Sequence, residues 1–190
     1  MVTLIVVLVV VGIILVLVAS LWLTYNGLVR QRMRVNEAWA GIDVQLKRRS
    51  SLVPNLVETV RGYAEHERGV FEEVARARAA LTSAPDARAA ADANNQLTVA
   101  LRSLFAVAEA YPQLVASQNF RELQQELSDL EAKIAYARQF YNTNVMDYNT
   151  RIKVFPTVLL ASAMGFRPTE FFAATEEERA DVHVSFERKQ

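Results

Sequence analysis

The sequence predicts an all-α protein, in which a single amino-terminal transmembrane helix precedes an antiparallel up-and-down four-helix bundle of long helices. Residues 4–23 form a run in which only Gly12 and Ser20 are not hydrophobic. Beyond it, apolar residues recur every three or four positions, and no stretch shows a sustained two-residue alternation. We therefore divide the chain into an anchor at 1–24, a bundle at 25–153, an apolar segment at 154–168 and a tail at 169–190.

The first segment has the length of a membrane-spanning helix. Its 20 residues rise roughly 30 Å as a helix, the thickness of the hydrocarbon core, and they lack the polar stripe of a surface helix. A cleaved signal peptide is the alternative. It requires a basic start and a small-x-small cleavage site, whereas residues 1–3 carry no basic side chain and residues 19–21 fit such a site poorly.

The charge distribution predicts the orientation. The chain has 21 basic and 21 acidic residues, none of them within residues 1–29, while residues 30–50 hold six basic and two acidic ones. Because basic residues favour the cytoplasmic side of a membrane, we expect a cytoplasmic bundle and a short outside amino terminus. The neutral total argues against nucleic-acid binding, which needs a clustered basic excess.

Prolines separate the four helical segments. The three-to-four-residue spacing covers residues 28–46, 56–81, 97–111 and 120–148. Between the first two, Ser50 and Ser51 followed by Pro54 predict an interruption, because the residue before a proline is pushed out of the helical region. The interruption is either a hairpin, which yields four helices, or a kink in one very long helix. The similar helix lengths favour the hairpin.

An uncharged stretch at residues 154–166 lies between Lys153 and Arg167. It is too short to span a bilayer, so it covers the end of the bundle, lies in the membrane interface or docks on a partner. In an up-and-down bundle the fourth helix returns towards the membrane, which makes the second alternative geometrically accessible. The candidate lipid contacts are Arg30, Arg32, Arg34, Phe155, Leu159, Leu160 and Phe166.

The sequence offers few residues for catalysis. It has no cysteine, which excludes disulfides and thiolate sites. A di-iron bundle needs two Glu-x-x-His motifs, but Tyr63 and Ala180 stand three residues before His66 and His183. His66 also lacks the second histidine of a zincin, and neither a phosphate loop nor a nucleophile elbow is present. We predict no cofactor, no metal and no enzymatic activity.

Two Tyr-Asn pairs stand seven residues apart on the fourth helix, Tyr141-Asn142 and Tyr148-Asn149. Residues at this spacing share one helix face. A buried asparagine can fix helix register and oligomeric state, whereas two exposed amides are the alternative. These four residues are the candidate register and oligomer contacts.

Together these landmarks resemble the LemA family of bacterial membrane-anchored proteins. The likeness is densest at residues 43–67, which read DVQLKRRSSLVPNLVETVRGYAEHE. It covers nearly the whole chain, through YNGLV at 25–29, EAYP at 109–112, IAYAR at 134–138, the two Tyr-Asn pairs, FP at 155–156 and GF at 165–166.

The resemblance implies a single amino-terminal helix in the bacterial inner membrane and a cytoplasmic helical bundle. It brings no established catalytic residue or cofactor, and it suggests an association with membrane protein quality control, including a membrane metalloprotease. The polar block at 43–67 exceeds what a bundle core requires, so its members form either a partner surface or a brace for the first interhelical turn. The candidate partner contacts are Asp43, Gln45, Lys47, Arg48, Arg49, Asn55, Glu58, Arg61 and His66.

Three functional hypotheses follow. The leading one is a non-enzymatic, membrane-tethered scaffold or adaptor that forms homo-oligomers or binds a membrane partner, since tethering raises effective concentration. The second is a protein that binds anionic lipid or shapes membranes through residues 30–34 and 154–166. The third is a hydrolase, for which the sequence offers no residue.

Overall fold

The computed structural model describes residues 1–172, and every regular element in that range is helical. No strand occurs among the described residues, which confirms the predicted helical class. Most of the predicted tail, with His183, lies outside them. The helices are α1 (Val2–Arg61), α2 (Arg68–Thr82), α3 (Ala87–Glu109), α4 (Pro112–Ala116), α5 (Gln118–Lys153) and α6 (Val158–Ala161).

The described chain divides into two compact units. Unit 1 consists of residues 1–45 and 131–171, and unit 2 contains residues 46–130. Both α1 and α5 therefore contribute residues to each unit. The antiparallel four-helix arrangement stays a prediction.

In unit 2, α1 continues through Pro54, so the hairpin predicted at residues 50–54 is wrong. Proline has no N–H to donate to the carbonyl four residues earlier, which here belongs to Ser50. A side chain from α2 takes over, because the Nε of Arg78 donates to that carbonyl oxygen at 2.8 Å. The proline is thus accommodated inside the helix.

The chain leaves α1 at residues 62–67 instead. Residues 65–67 are all exposed, so no apolar side chain there can hold a helix against a core. Ala64 is buried, and its N–H donates to the Val60 carbonyl at 3.0 Å as the helix ends. The break follows the gap in the apolar pattern rather than the proline.

Side-chain caps and buried stripes set the remaining helices of unit 2. The carboxylate of Asp86 accepts from the Ala89 N–H at 2.8 Å and caps α3, and Pro112 occupies the first turn of α4. α2 and α3 pack against each other. Their buried side chains include Phe71, Val74, Leu81, Leu97, Leu101 and Leu104.

Unit 1 is built on the first part of α1 and the second part of α5. Trp39 contacts Tyr141 across the two helices, with ring centroids 5.8 Å apart. The buried side chains in these stretches are Leu28, Val35, Ala38, Ile42, Ile134, Tyr141, Val145, Tyr148 and Ile152. They recur three, four or seven residues apart, as a helix with one apolar face requires.

The chain reverses after α6 in a Schellman turn. Phe166 N–H donates to the Ala161 carbonyl at 2.9 Å and Gly165 N–H to the Ser162 carbonyl at 3.1 Å. Gly165 has φ of +79°, a backbone conformation that favours glycine. The residues that follow the turn are then hydrogen-bonded to α5.

Candidate functional site

The apolar part of α1 is exposed along its whole length. Among the helices of residues 1–172, α1 is the one that is long and apolar enough to cross a membrane. Its most apolar stretch of 18 residues contains no buried residue. In a water-soluble domain such a window would need a covering partner. The feature agrees with the predicted anchor in length and composition.

Just beyond the apolar run, Tyr25 contacts Phe166. Their ring centroids are 5.7 Å apart in an edge-to-face arrangement, and Phe166 is 6% exposed. This contact places the stretch at 154–166, which we call the apolar cap, beside the part of α1 that directly follows the apolar run. Phe166 was a candidate lipid contact, but the structure places its side chain inside unit 1.

The apolar cap has two different faces. Thr157 and Ala161 are buried with Phe166. Phe155 and Leu159 point the other way and are 79% and 69% exposed. One face therefore covers the core of unit 1, while the other is exposed, and its contact with a membrane or a partner stays a prediction.

The three arginines near the apolar run are exposed. The Nε of Arg30 donates to the Asn26 carbonyl at 3.3 Å. Arg32 lies close enough to Tyr148 to act on its phenol. Burial raises the pKa of Tyr148, and the charge of Arg32 and a hydrogen bond with the Arg167 backbone partly offset that rise.

The two Tyr-Asn pairs make contacts within their own chain. The hydroxyl of buried Tyr141 donates to the Glu170 carbonyl at 2.9 Å. Asn149 binds the backbone of Thr169 twice, donating from Nδ2 at 2.8 Å and accepting at Oδ1 at 2.9 Å. These bonds hold residues 167–171 against α5. The role of the pairs, including Asn142, in register and oligomeric state stays a prediction.

The predicted partner surface is distributed over both units. Asp43 and Gln45 belong to unit 1 and are half-buried, and the other seven residues belong to unit 2. At 100° per residue, the exposed members on α1 in unit 2 fall on one side of the helix, opposite the buried Leu46, Val53, Leu56 and Val60. We call this side the polar face; its residues are Lys47, Arg48, Asn55, Glu58 and Arg61.

Arg49 does not belong to that face, contrary to the prediction that it is surface-facing. Its side chain is 2% exposed, and its Nη1 donates to Oδ1 of buried Asn94 at 2.7 Å. The helical angle explains the difference, because residue 49 lies on the same side as Val53 and Leu56. Two neighbouring arginines thus have opposite environments.

A pocket of about 550 Å³ opens where the polar face ends, between the last turn of α1 and the start of α2. Its lining combines two arginines, two glutamates and one aromatic ring: Arg61, Glu65, Arg68, Phe71, Glu72 and Ala75. The guanidinium of Arg61 lies 5.3 Å from the centroid of the Phe71 ring, within the range of a cation–π interaction. His66 is exposed and is not among the lining residues.

The pocket combines charges of both signs with an aromatic ring. No group of three or more His, Cys, Asp or Glu side chains in residues 1–172 could hold a metal ion.

The LemA family profile matches residues 38–186, most of the chain. The chain belongs to the LemA family. A LemA-family relative named Protein LemA, from Metamycoplasma hominis, is 26% identical over 161 residues, which cover 84% of this chain and 74% of the relative.

Other relatives are named as magnetosome proteins. Magnetosome protein MamQ of Magnetospirillum gryphiswaldense is 24% identical over 181 residues, covering 82% of this chain and 66% of the relative. Magnetosome protein MamQ 2 of Paramagnetospirillum magneticum is 25% identical with the same coverage. This LemA-family chain therefore spans slightly less than two thirds of the length of the MamQ relatives it matches.

Several residues of the pocket and of the apolar cap were not predicted from the sequence. No role was predicted for Arg68, Phe71 and Glu72, although Arg68 and Glu72 stand four residues apart, the spacing at which helical side chains are neighbours. The contact between Tyr25 and Phe166 was not predicted either. No local pattern encodes that contact, because the two residues meet only through the packing of unit 1.

Proposed function

We propose that this LemA-family chain is a membrane-tethered, non-enzymatic scaffold or adaptor that holds a protein partner at the pocket of unit 2 and the adjoining polar face. The observation that carries the proposal is the open pocket of mixed charge around Phe71. Aromatic and arginine side chains are the residue types that most often dominate binding energy at protein interfaces.

Membrane tethering is supported by two independent features. The exposed apolar part of α1 has the length and composition of a spanning helix, and relatives are named as magnetosome proteins. The basic excess at residues 30–50 favours a cytoplasmic position for the rest of the chain, with the amino terminus outside the bacterial inner membrane. Tethering would let contacts of modest affinity suffice.

The partner we favour is another membrane-associated protein, with a protease of membrane protein quality control as one candidate and a second copy of this chain as another. None of the relatives named above carries the name of an enzyme, which agrees with a binding role. The charge pattern around the pocket predicts a partner segment that carries both basic and acidic residues.

Photo-crosslinking in native membranes tests the proposal. A photoreactive amino acid in place of His66, which is exposed beside the pocket, is expected to yield discrete crosslinked species that mass spectrometry can identify. The matched control replaces Gln124, an exposed residue of α5 in the same unit. The absence of adducts from His66, or the same adducts from Gln124, would contradict the proposed site.

A further inference from the structure

The outward face of the apolar cap is hydrophobic where a helix facing water would be polar. Phe155, Val158 and Leu159 are exposed; Phe155 lies in the turn that leads into α6, and Val158 and Leu159 are the first two residues of that helix. Thr157 and Ala161 are buried on the other side. The cap is therefore anchored to unit 1 by one face and presents the other, apolar one.

A short series of contacts links this outward face to the start of the soluble part of α1. Leu159 lies two residues before Ala161, whose carbonyl accepts the hydrogen bond from Phe166 N–H at 2.9 Å. The Phe166 ring packs on Tyr25, which follows the apolar run at 4–23 by two residues. The exposed side chains thus lie next to the point where α1 would leave a bilayer.

The charged residues nearest to the cap in the sequence are basic. Residues 148–169 contain three basic residues and no acidic one. Lys153 and Arg167 flank the cap directly, Arg151 lies just before it, and all three are exposed. Arg30, one turn beyond Asn26 on α1, is exposed as well. These four basic side chains form a basic rim beside the exposed apolar face. This combination favours binding to the interface of an anionic membrane.

We propose that Phe155, Val158 and Leu159 insert into the interface of the same bilayer that holds α1, as a second membrane contact of one chain. This proposal rests on the membrane anchoring that the proposed function includes. Insertion would bury the apolar face about 5–10 Å into the boundary between headgroups and acyl chains. The basic rim would lie among the phosphates, and the two contacts together would fix how unit 1 stands on the membrane.

Depth-dependent fluorescence quenching tests the insertion in the full chain. Because the sequence has no cysteine, single cysteines at Leu159→Cys, Val10→Cys and Thr143→Cys can each carry an environment-sensitive fluorophore. The protein is reconstituted in nanodiscs of phosphatidylcholine and phosphatidylglycerol, with a nitroxide quencher near the top of the lipid acyl chains or with iodide in the water.

The expected result is loss of fluorescence at residue 159 with the lipid quencher and protection from iodide. Thr143, exposed in the middle of α5 in unit 1, should show the reverse. Protection of residue 10 from iodide reports the anchor separately. If residue 10 is protected and residue 159 is quenched by iodide, the cap proposal fails while the anchor stands. Protection of residue 159 from both quenchers would mean that protein covers the cap, which also overturns the proposal.

A matched pair of substitutions tests which side chains insert. With the fluorophore at residue 159, Phe155→Asp is expected to lower the lipid quenching to the level seen at residue 143. The control substitution Phe171→Asp removes another exposed phenylalanine. Phe171 follows Glu170, whose carbonyl accepts a hydrogen bond from Tyr141, and the Tyr141 ring contacts Trp39. Trp39 is about 21 Å along α1 from Tyr25 at 1.5 Å per residue, so this control should leave the quenching unchanged. Equal effects of the two substitutions would contradict the proposal, and circular dichroism verifies that both variants keep their helices.

Discussion

The guanidinium of Arg49 donates from Nη1 to Oδ1 of Asn94 at 2.7 Å, with both side chains buried in unit 2. A buried charge needs such a partner, because transferring a charged side chain from water into the protein interior costs several kcal/mol. The bond joins α1 to α3 on the buried side of α1. Arg49 therefore has a structural role, whereas its neighbour Arg48 is exposed.

The first prediction compares these neighbours. Asn94→Ala should lower the free energy of unfolding by about 1.5–3 kcal/mol, the range for a hydrogen bond to a charged group, and Arg49→Ala should lower it by at least as much. Arg48→Ala should change it by less than about 0.5 kcal/mol, as expected for an exposed side chain. Urea unfolding of the full chain in detergent, followed by circular dichroism, measures all three. Similar values for the two arginines would contradict the burial of Arg49.

A second prediction concerns the proline inside α1. Arg78→Ala removes the donor to the Ser50 carbonyl and should cost about 1.5–3 kcal/mol. Pro54→Ala supplies an N–H that can bond the same carbonyl within the helix, so Arg78→Ala should cost less in that background. A double-mutant cycle isolates this coupling. Equal costs in the two backgrounds would show that Arg78 does not act through the proline gap.

A third prediction is a loss of stability at alkaline pH. Burial, and next the charge of Glu170, raise the pKa of Tyr141 above its ordinary value of 10.0, so folding favours the neutral phenol. The contribution of this raised pKa to the free energy of unfolding is complete below pH 10 and is lost as the pH rises through the raised pKa. An ionised Tyr141 also cannot donate to the Glu170 carbonyl.

Tyr141→Phe tests this effect. At pH 7 the variant should be less stable than the natural chain by about 0.5–1.5 kcal/mol, the value of one hydrogen bond. Above pH 10 that difference should shrink or reverse, since the variant has no hydroxyl at this position to ionise. Tyr136→Phe, at an exposed ring, should stay within about 0.5 kcal/mol at pH 7. A difference that does not depend on pH would be inconsistent with the raised pKa.

A fourth prediction follows from the two bonds between Asn149 and Thr169. Asn149→Ala removes both and should cost about 1–3 kcal/mol, at about 0.5–1.5 kcal/mol each. The Thr169 amide should then exchange faster with deuterium. Asn144→Ala removes an amide that donates to the Phe140 carbonyl of its own helix at 2.8 Å, so the Thr169 amide should keep its protection. Unchanged exchange in Asn149→Ala would show that other contacts hold this segment.

The fifth prediction concerns orientation. A cysteine at exposed Ser83 should stay unlabelled by a membrane-impermeant maleimide in intact cells and react after permeabilisation, because the basic excess near the apolar run favours a cytoplasmic domain. A cysteine at Thr3 should react in intact cells. Labelling of Ser83→Cys from outside would reverse the predicted topology.

The sequence predicted the helical class because its apolar spacing is sustained, and it located the chain breaks that follow residues 81 and 111 because the effect of a proline on the backbone is local. It misplaced the end of α1 because the partner that accommodates Pro54, Arg78, is contributed by another helix. The run of polar residues at 65–67 was the better signal for that break.

The candidate sites were predictable only where the periodicity of a single helix determines which side chains are exposed. The polar face of α1 follows from helical periodicity, and so does the burial of Arg49, once its position is compared with Val53 and Leu56. The pocket around Phe71 depends on how α1 and α2 meet, and the burial of Phe166 depends on the turn at Gly165. Neither follows from the spacing of residues within one helix.

The continuity of α1 has a mechanical consequence. The helix has no break between the apolar run and Gln45, so this stretch contains no joint at which unit 1 could pivot. Helices longer than the hydrocarbon thickness relieve the mismatch by tilting. If the apolar run spans a bilayer, a thinner membrane would tilt unit 1 together with the helix, so the tilt of unit 1 would depend on membrane thickness.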